Sequence, residues 1–202
     1  YVEFGDGNYM YIASRLADGV PLYRDIVSPQ PPLHLYAGSL VIRLCRLVHL
    51  DPLLGIRLYQ LLLRLGVALV TAAIVWRLFR CRAATLLAFF LYLILPVGFW
   101  WTRGYQSEPL ELLPMTLAFW LLLDSPEQPA GRGRAALAGI CASLALATNM
   151  TFLPYLCFHV LYLVLARRQL LLPFLLPFAA VTGGGIALFS WLAGSAFVEN
   201  VW

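Results

Sequence analysis

The chain has 202 residues, 61% of them hydrophobic and 12% charged, with a mean hydropathy of +0.80. That is too little charge to clothe a water-soluble surface, so the composition sets aside a soluble domain and points to a bilayer as solvent. The net charge of +4 rests on fourteen Arg and no Lys, scattered between apolar runs, and this gives no nucleic-acid-binding patch. Cys45, Cys81, Cys141 and Cys157 lie far apart without a Cys-x-x-Cys pair. They read as small apolar fillers and indicate neither a zinc site nor a disulfide framework.

In chain order, residues 1–33 form the polar part, with four of the ten acids: Glu3, Asp6, Asp18 and Asp25. The chain opens on Tyr1, and the acidic stretch after it is not a signal peptide. An internal piece of a longer protein is expected, its closing AFVENVW following a helix that has just ended. Tyr9, Ile12, Ala13 and Leu16 share one helical face, Gly19 ends that helix, and Pro21, Pro29, Pro31 and Pro32 force a turning path. From 33 to 50 the pattern is amphipathic, with Arg43, Arg46 and His49 on one side, which suits a helix lying at a membrane surface.

Six apolar segments follow, at 53–76, 83–101, 110–123, 135–148, 152–166 and 170–193. A hydrocarbon core takes about 20 residues of helix, so these are expected to be spans. The fold class is then all-α: a polytopic helical membrane protein in which residues 1–50 form an external loop and 51–202 the membrane domain. Arg77, Arg80 and Arg82, then Arg132 and Arg134, then Arg167 and Arg168 fall in alternate connections. The positive-inside rule makes that side cytoplasmic and leaves Asp6, Asp18, Asp25, Glu108, Glu111 and Glu199 on or near the other. Phe99, Trp100, Trp101 and Tyr105 are expected to form an aromatic belt there.

Two stretches carry the candidate chemistry: GDGNYMYIASRLADGVPLYRDIVSPQPPLHLY at 5–36, and TRGYQSEPLELLPM at 102–115. Read as residues alone, Asp6 is a helix cap or a base. Glu108 follows Ser107 at a helix start, where a carboxylate offsets the macrodipole. Glu111 lies three residues deeper on the same face, where an acid needs a cavity or a partner. His34 is a hydrogen-bonding or metal-ligating side chain, and His159 a packed neutral one or a proton relay. Arg64 is snorkelling or paired, and Asn149-Met150-Thr151 is a chance glycosylation sequon at a membrane edge.

The first stretch resembles the first external loop of GT-C class membrane glycosyltransferases, on the protein-mannosyltransferase and aminoarabinose-transferase side. Asp6, Tyr9, Tyr11, Ala13, Gly19, Tyr23, Arg24, Asp25, Pro31, Pro32 and Leu33 stand in the places of that pattern. It departs at Gly7, where Glu is common, at Gln30, and at Asn149, where a basic residue is frequent. The resemblance implies transfer of a sugar from a polyprenyl-phosphate donor to a lipid, glycan or protein acceptor outside the cytoplasm, at the plasma (inner) membrane. It implies Asp6 as the base and Glu108 as a second catalytic acid. Tyr9, Arg24, Asp25, Arg57, Arg103 and Glu111 are then substrate-binding, the arginines on the phosphate. Asp6, Glu108 and His34 are the residues for a divalent metal cation, the one cofactor in view. The alternatives are a transporter or flippase of an ionic or lipid-linked substrate, and a degenerate relative without activity.

Overall fold

The computed structural model describes residues 4–95, 105–124 and 130–201, with only the backbone for 4–6. Among these residues the chain is helical, with no strand and a single isolated bridge between Leu22 and Ile26. The helices are α1 (Phe4–Ala17), α2 (Pro32–Leu47), α3 (Pro52–Phe79), α4 (Arg82–Ile94), α5 (Glu108–Leu122), α6 (Arg132–Thr148), α7 (Leu153–Ala166), α8 (Leu171–Ala193) and α9 (Ser195–Val201). Short 3₁₀ turns, Met150–Phe152 and Arg168–Leu170, lead into α7 and α8.

Local chemistry sets the boundaries. Asp51 caps α3, its Oδ1 accepting from the amides of Leu53 and Leu54 at 2.7 and 3.0 Å, with Pro52 in the first helical position. Gly19, at a φ of +90°, turns the chain out of α1 as expected. The closing segment differs from expectation: Ser195–Val201 is a further helix. Phe197 and Val201 on α9 pack onto Ile12, Leu16, Tyr23 and Leu35, so the apolar face of the first loop is what holds it helical.

Two stretches, Pro52–Phe79 and Arg168–Ala193, are long and apolar enough to cross a membrane by length and composition. Only 33% and 11% of their most apolar windows are buried inside the protein, whereas the core helix of a soluble domain is mostly covered. Leu58, Leu62 and Leu69 on α3 and Leu176, Leu188 and Leu192 on α8 face outward. Of the other four expected spans, α4 and α7 are shorter apolar helices. α5 and α6 have 15 and 17 residues. The second expected span runs into residues 96–104, outside the described residues.

α6 is the central helix. Ala135, Ala138, Ala142 and Ala145 are fully buried, and their small side chains let α5 and α8 close in on either side. Across the α6–α8 seam, the Ser143 and Thr182 hydroxyls share a hydrogen bond of 2.8 Å. α3 packs on α2, α4 and α5. Arg64 is buried on α3 and donates to the Leu93 carbonyl of α4, so it is paired rather than snorkelling.

α2 is amphipathic, and its exposed arginines reach across to α1. Arg43 donates to the carbonyls of Leu16 and Ala17 at 2.9 and 3.1 Å, and Arg46 pairs with Asp18 at 2.7 Å. Arg43 thereby caps the C-terminus of α1, where the last carbonyls and the dipole favour a cation, while Arg46 also donates to the Ser14 hydroxyl at 3.3 Å. Leu40, Leu44 and Leu47 are left as the exposed apolar face of α2.

Candidate functional site

The starts of α2 and α5, the middle of α1 and the connection after α6 meet at one end of the bundle. Tyr105 organises this meeting. It is buried, its hydroxyl donates to the His34 carbonyl, and its ring stacks on the His34 imidazole at 4.1 Å. Gly38 makes room for it: a Cβ there would lie 1.9 Å from the Tyr105 oxygen. Tyr105 is therefore not part of an interfacial belt, a correction to the sequence expectation, because His34 and Gly38 one turn apart on α2 form a slot for its ring. Phe99, Trp100 and Trp101 lie outside the described residues.

On the other side of His34, Tyr9 meets the imidazole edge-on at 5.2 Å. Burial and the charge of Glu108 both raise the Tyr9 phenol above its ordinary pKa, so α1 and the start of α5 share one electrostatic environment. Glu108 is half-buried, and its Oε2 is enclosed without a hydrogen-bond partner among the described residues. Gln60 of α3 donates to the Gln106 carbonyl at 3.0 Å and fixes the strand of chain that presents Glu108.

The Asn-Met-Thr stretch completes the cluster. Asn149 Nδ2 donates to Ser107 Oγ at 3.0 Å, and its Oδ1 accepts from the Thr151 amide at 3.2 Å. The Thr151 hydroxyl donates to both carboxylate oxygens of Glu111, at 2.8 and 2.9 Å. Glu111 is 4% exposed, so an acid one turn inside α5 does have the partner its depth demands. Sequence reasoning missed Ser107, Asn149, Thr151 and Gln60. The available signal was a polar triplet between two apolar helices, which reads equally as a sequon.

The remaining candidates fall elsewhere or outside. Arg24 and Asp25 are exposed in the turn closed by the Tyr23 amide and the Ile26 carbonyl at 2.9 Å. Arg57 is exposed on α3. Among the described residues no hydrogen bond or ion pair joins these three to Tyr9, His34, Glu108 or Glu111. Arg103 lies outside the described residues, and Asp6 is described only as backbone within α1. Among the described residues no three or more His, Cys, Asp or Glu side chains are placed together so that they could hold a metal ion. His159 is buried, its Nδ1 2.5 Å from the Tyr155 carbonyl and its ring stacked on Phe174, as a packed neutral side chain would be.

His34 carries a consequence for pH. Its side chain is fully buried, both ring nitrogens lack a partner among the described residues, and burial pushes its pKa down to about 3. Above pH 6.5 the folded and unfolded chains are both neutral at this residue, and it contributes nothing. As pH falls from 6.5 towards 3, the unfolded chain gains a proton that the folded one refuses. Stability should drop by about 1.4 kcal/mol per pH unit over that window. Unfolding followed across this range is expected to show a steeper acid limb for the wild type than for His34→Phe; parallel limbs would mean that the imidazole is hydrated.

No family model, no curated protein and no solved structure matches this chain.

Proposed function

We propose that this chain belongs to the membrane domain of a GT-C-type glycosyltransferase, which moves a sugar from a polyprenyl-phosphate donor to an external lipid, glycan or protein. It is read as a multi-pass protein of the plasma (inner) membrane, with its reaction on the external or periplasmic side. The observation that carries this reading is that Tyr9 lies near enough to Glu108 for the carboxylate charge to raise its phenol. Tyr9 lies three residues after Asp6 on one helix, so α1 brings the loop motif to the acids that open α5.

The chemistry asks for a carboxylate to take the proton of the acceptor hydroxyl and for positive charge at the leaving phosphate. Asp6 is the proposed base, and Glu108 orients the acceptor. Glu111, held by Thr151, extends the polar wall inward. Arg24, Arg57 and Arg103 are the proposed phosphate contacts. Asp6, Glu108 and His34 would hold a divalent cation, whose charge would offset the phosphate; burial keeps His34 neutral, the ligating form. The membrane reading draws on the outward apolar faces of α3 and α8 and on the division of charge between the bundle's two ends.

The test is transfer of sugar from a polyprenyl-phosphate donor by the protein reconstituted in lipid vesicles, with Asp6→Asn beside the wild type. Transfer by the wild type and its loss in a folded variant is the expected result. Transfer at the wild-type rate by Asp6→Asn removes that residue from the mechanism. Substrate movement across the vesicle without transfer would favour a transporter instead.

A further inference from the structure

The end of the bundle opposite Glu108 holds a second polar cluster that sugar transfer does not use. Arg77, Arg80 and Arg82 lie between α3 and α4, Arg132 and Arg134 open α6, and Arg167 and Arg168 follow α7. The sequence sets two acids against these seven arginines, Asp124 and Glu127. Asp124 is engaged, pairing with Arg167 and accepting from the Ala130 amide at 2.8 Å. This end carries a surplus of positive charge whatever Glu127 neutralises.

Two of the arginines are held in fixed geometry. Arg77 from α3 and Arg134 from α6 both donate to the Trp120 carbonyl, at 3.3 and 3.1 Å. Arg134 donates to the Leu123 carbonyl as well, at 3.1 Å. Their guanidinium carbons lie 5.6 and 5.8 Å from the Trp120 ring. Two like charges from different helices thus converge on one carbonyl at the C-terminus of α5, where the helix dipole and the nearby Asp124 carboxylate offset part of their repulsion. Guanidinium pairs held this way match phosphate oxygens, and the arrangement gains from an anion that bridges them. Leu78 and Phe79, exposed at the end of α3, supply an apolar flank next to the charges.

Resting on the membrane reading above, we propose that this end binds the headgroup of an anionic glycerophospholipid, its phosphate held by Arg77 and Arg134 and its acyl chains against Leu78 and Phe79. The surplus charge selects an anionic headgroup over a zwitterionic one, the Trp120 ring sits where an interfacial aromatic belongs, and the apolar flank distinguishes a lipid from a free anion.

The whole chain, extracted from membranes into neutral detergent, would be offered equal amounts of phosphatidylglycerol and phosphatidylcholine and observed by native mass spectrometry. Retention of phosphatidylglycerol over phosphatidylcholine is expected at about fivefold, the ratio that ~1 kcal/mol per basic side chain implies. Arg134→Lys should keep part of that preference and Arg134→Gln lose it. Because Arg134 also ties α5 to α6, the double variant Arg132→Gln/Arg168→Gln is the control, since among the described residues the one side-chain hydrogen bond of this pair is the local bond from Arg168 to the Val164 carbonyl four residues back. It should lower the preference while leaving the unfolding temperature unchanged. Equal retention of the two lipids by the wild type overturns the proposal, as does inorganic phosphate stabilising the protein as much as phosphatidylglycerol. Release of the chain from membranes by alkaline carbonate sinks the membrane reading; a carbonate-resistant chain with no lipid preference sinks the headgroup site alone.

Discussion

Under the proposed function, replacing Glu108 with Gln is expected to slow sugar transfer by about 10²- to 10⁴-fold, the range contributed by a positioned acid or base. The substitution preserves length and shape, so it isolates the charge. Its Oε2 has no partner among the described residues, and no hydrogen bond to that oxygen is lost when the charge goes. Glu108 is the first residue of α5, and losing its favourable term with the helix dipole should cost stability only ~0.3–1 kcal/mol. Transfer and unfolding temperature measured on one preparation separate the two effects. A variant that is folded and slow supports a role at the reacting groups; one that is folded and as fast as wild type takes Glu108 out of the reaction. The Tyr9 phenol should titrate lower in the variant, because the charge that raises it is gone.

Gly139→Ala is expected to destabilise the protein by ~3 kcal/mol, at the upper end for overpacking. A Cβ at this position would sit 2.1 Å from the Phe174 carbonyl oxygen, 3.0 Å from its carbon and 3.3 Å from the Phe178 amide nitrogen. These are backbone atoms of α8 and cannot rotate aside, so α6 and α8 must move apart. Separation would loosen the buried alanines of α6 and the Ser143–Thr182 hydrogen bond. The control is Gly184→Ala, where a Cβ meets nothing within 4 Å. There the better helix propensity of Ala, worth up to ~1 kcal/mol, should leave stability equal or raised. Unfolding of both variants in detergent decides the matter: equal stabilities would mean that the two helices are not packed this closely.

Much of the secondary structure was legible along the chain, because apolar runs, prolines and caps are local. The helix from Tyr9 to Leu16, its stop at Gly19, and the starts at Pro32 and Pro52 all follow from side chains within a turn of the boundary. The helix at Ser195–Val201 was not legible, since its stability comes from packing on Ile12, Leu16, Tyr23 and Leu35, at the other end of the chain. Of the site, the acids at 108 and 111 stood out because a carboxylate in an apolar run is costly. Their partners did not: Thr151, Asn149 and Gln60 are ordinary polar residues until the helices bring them together.

By itself, then, the sequence determined the kind of chain this is: helical, apolar, with arginines grouped at alternate connections and most of the acids, Asp124 and Glu127 excepted, in the others. Composition and period follow from each residue's own free energy of transfer and from its near neighbours, and these need no fold to be read. Tertiary structure alone decided that Tyr105 fills a slot on α2 instead of facing the interface, that Arg43 caps α1 and Arg46 pairs with Asp18, and that Thr151 holds Glu111. Each is a contact across 26 residues or more, set by which helix faces dock, and docking depends on the fit of many side chains at once.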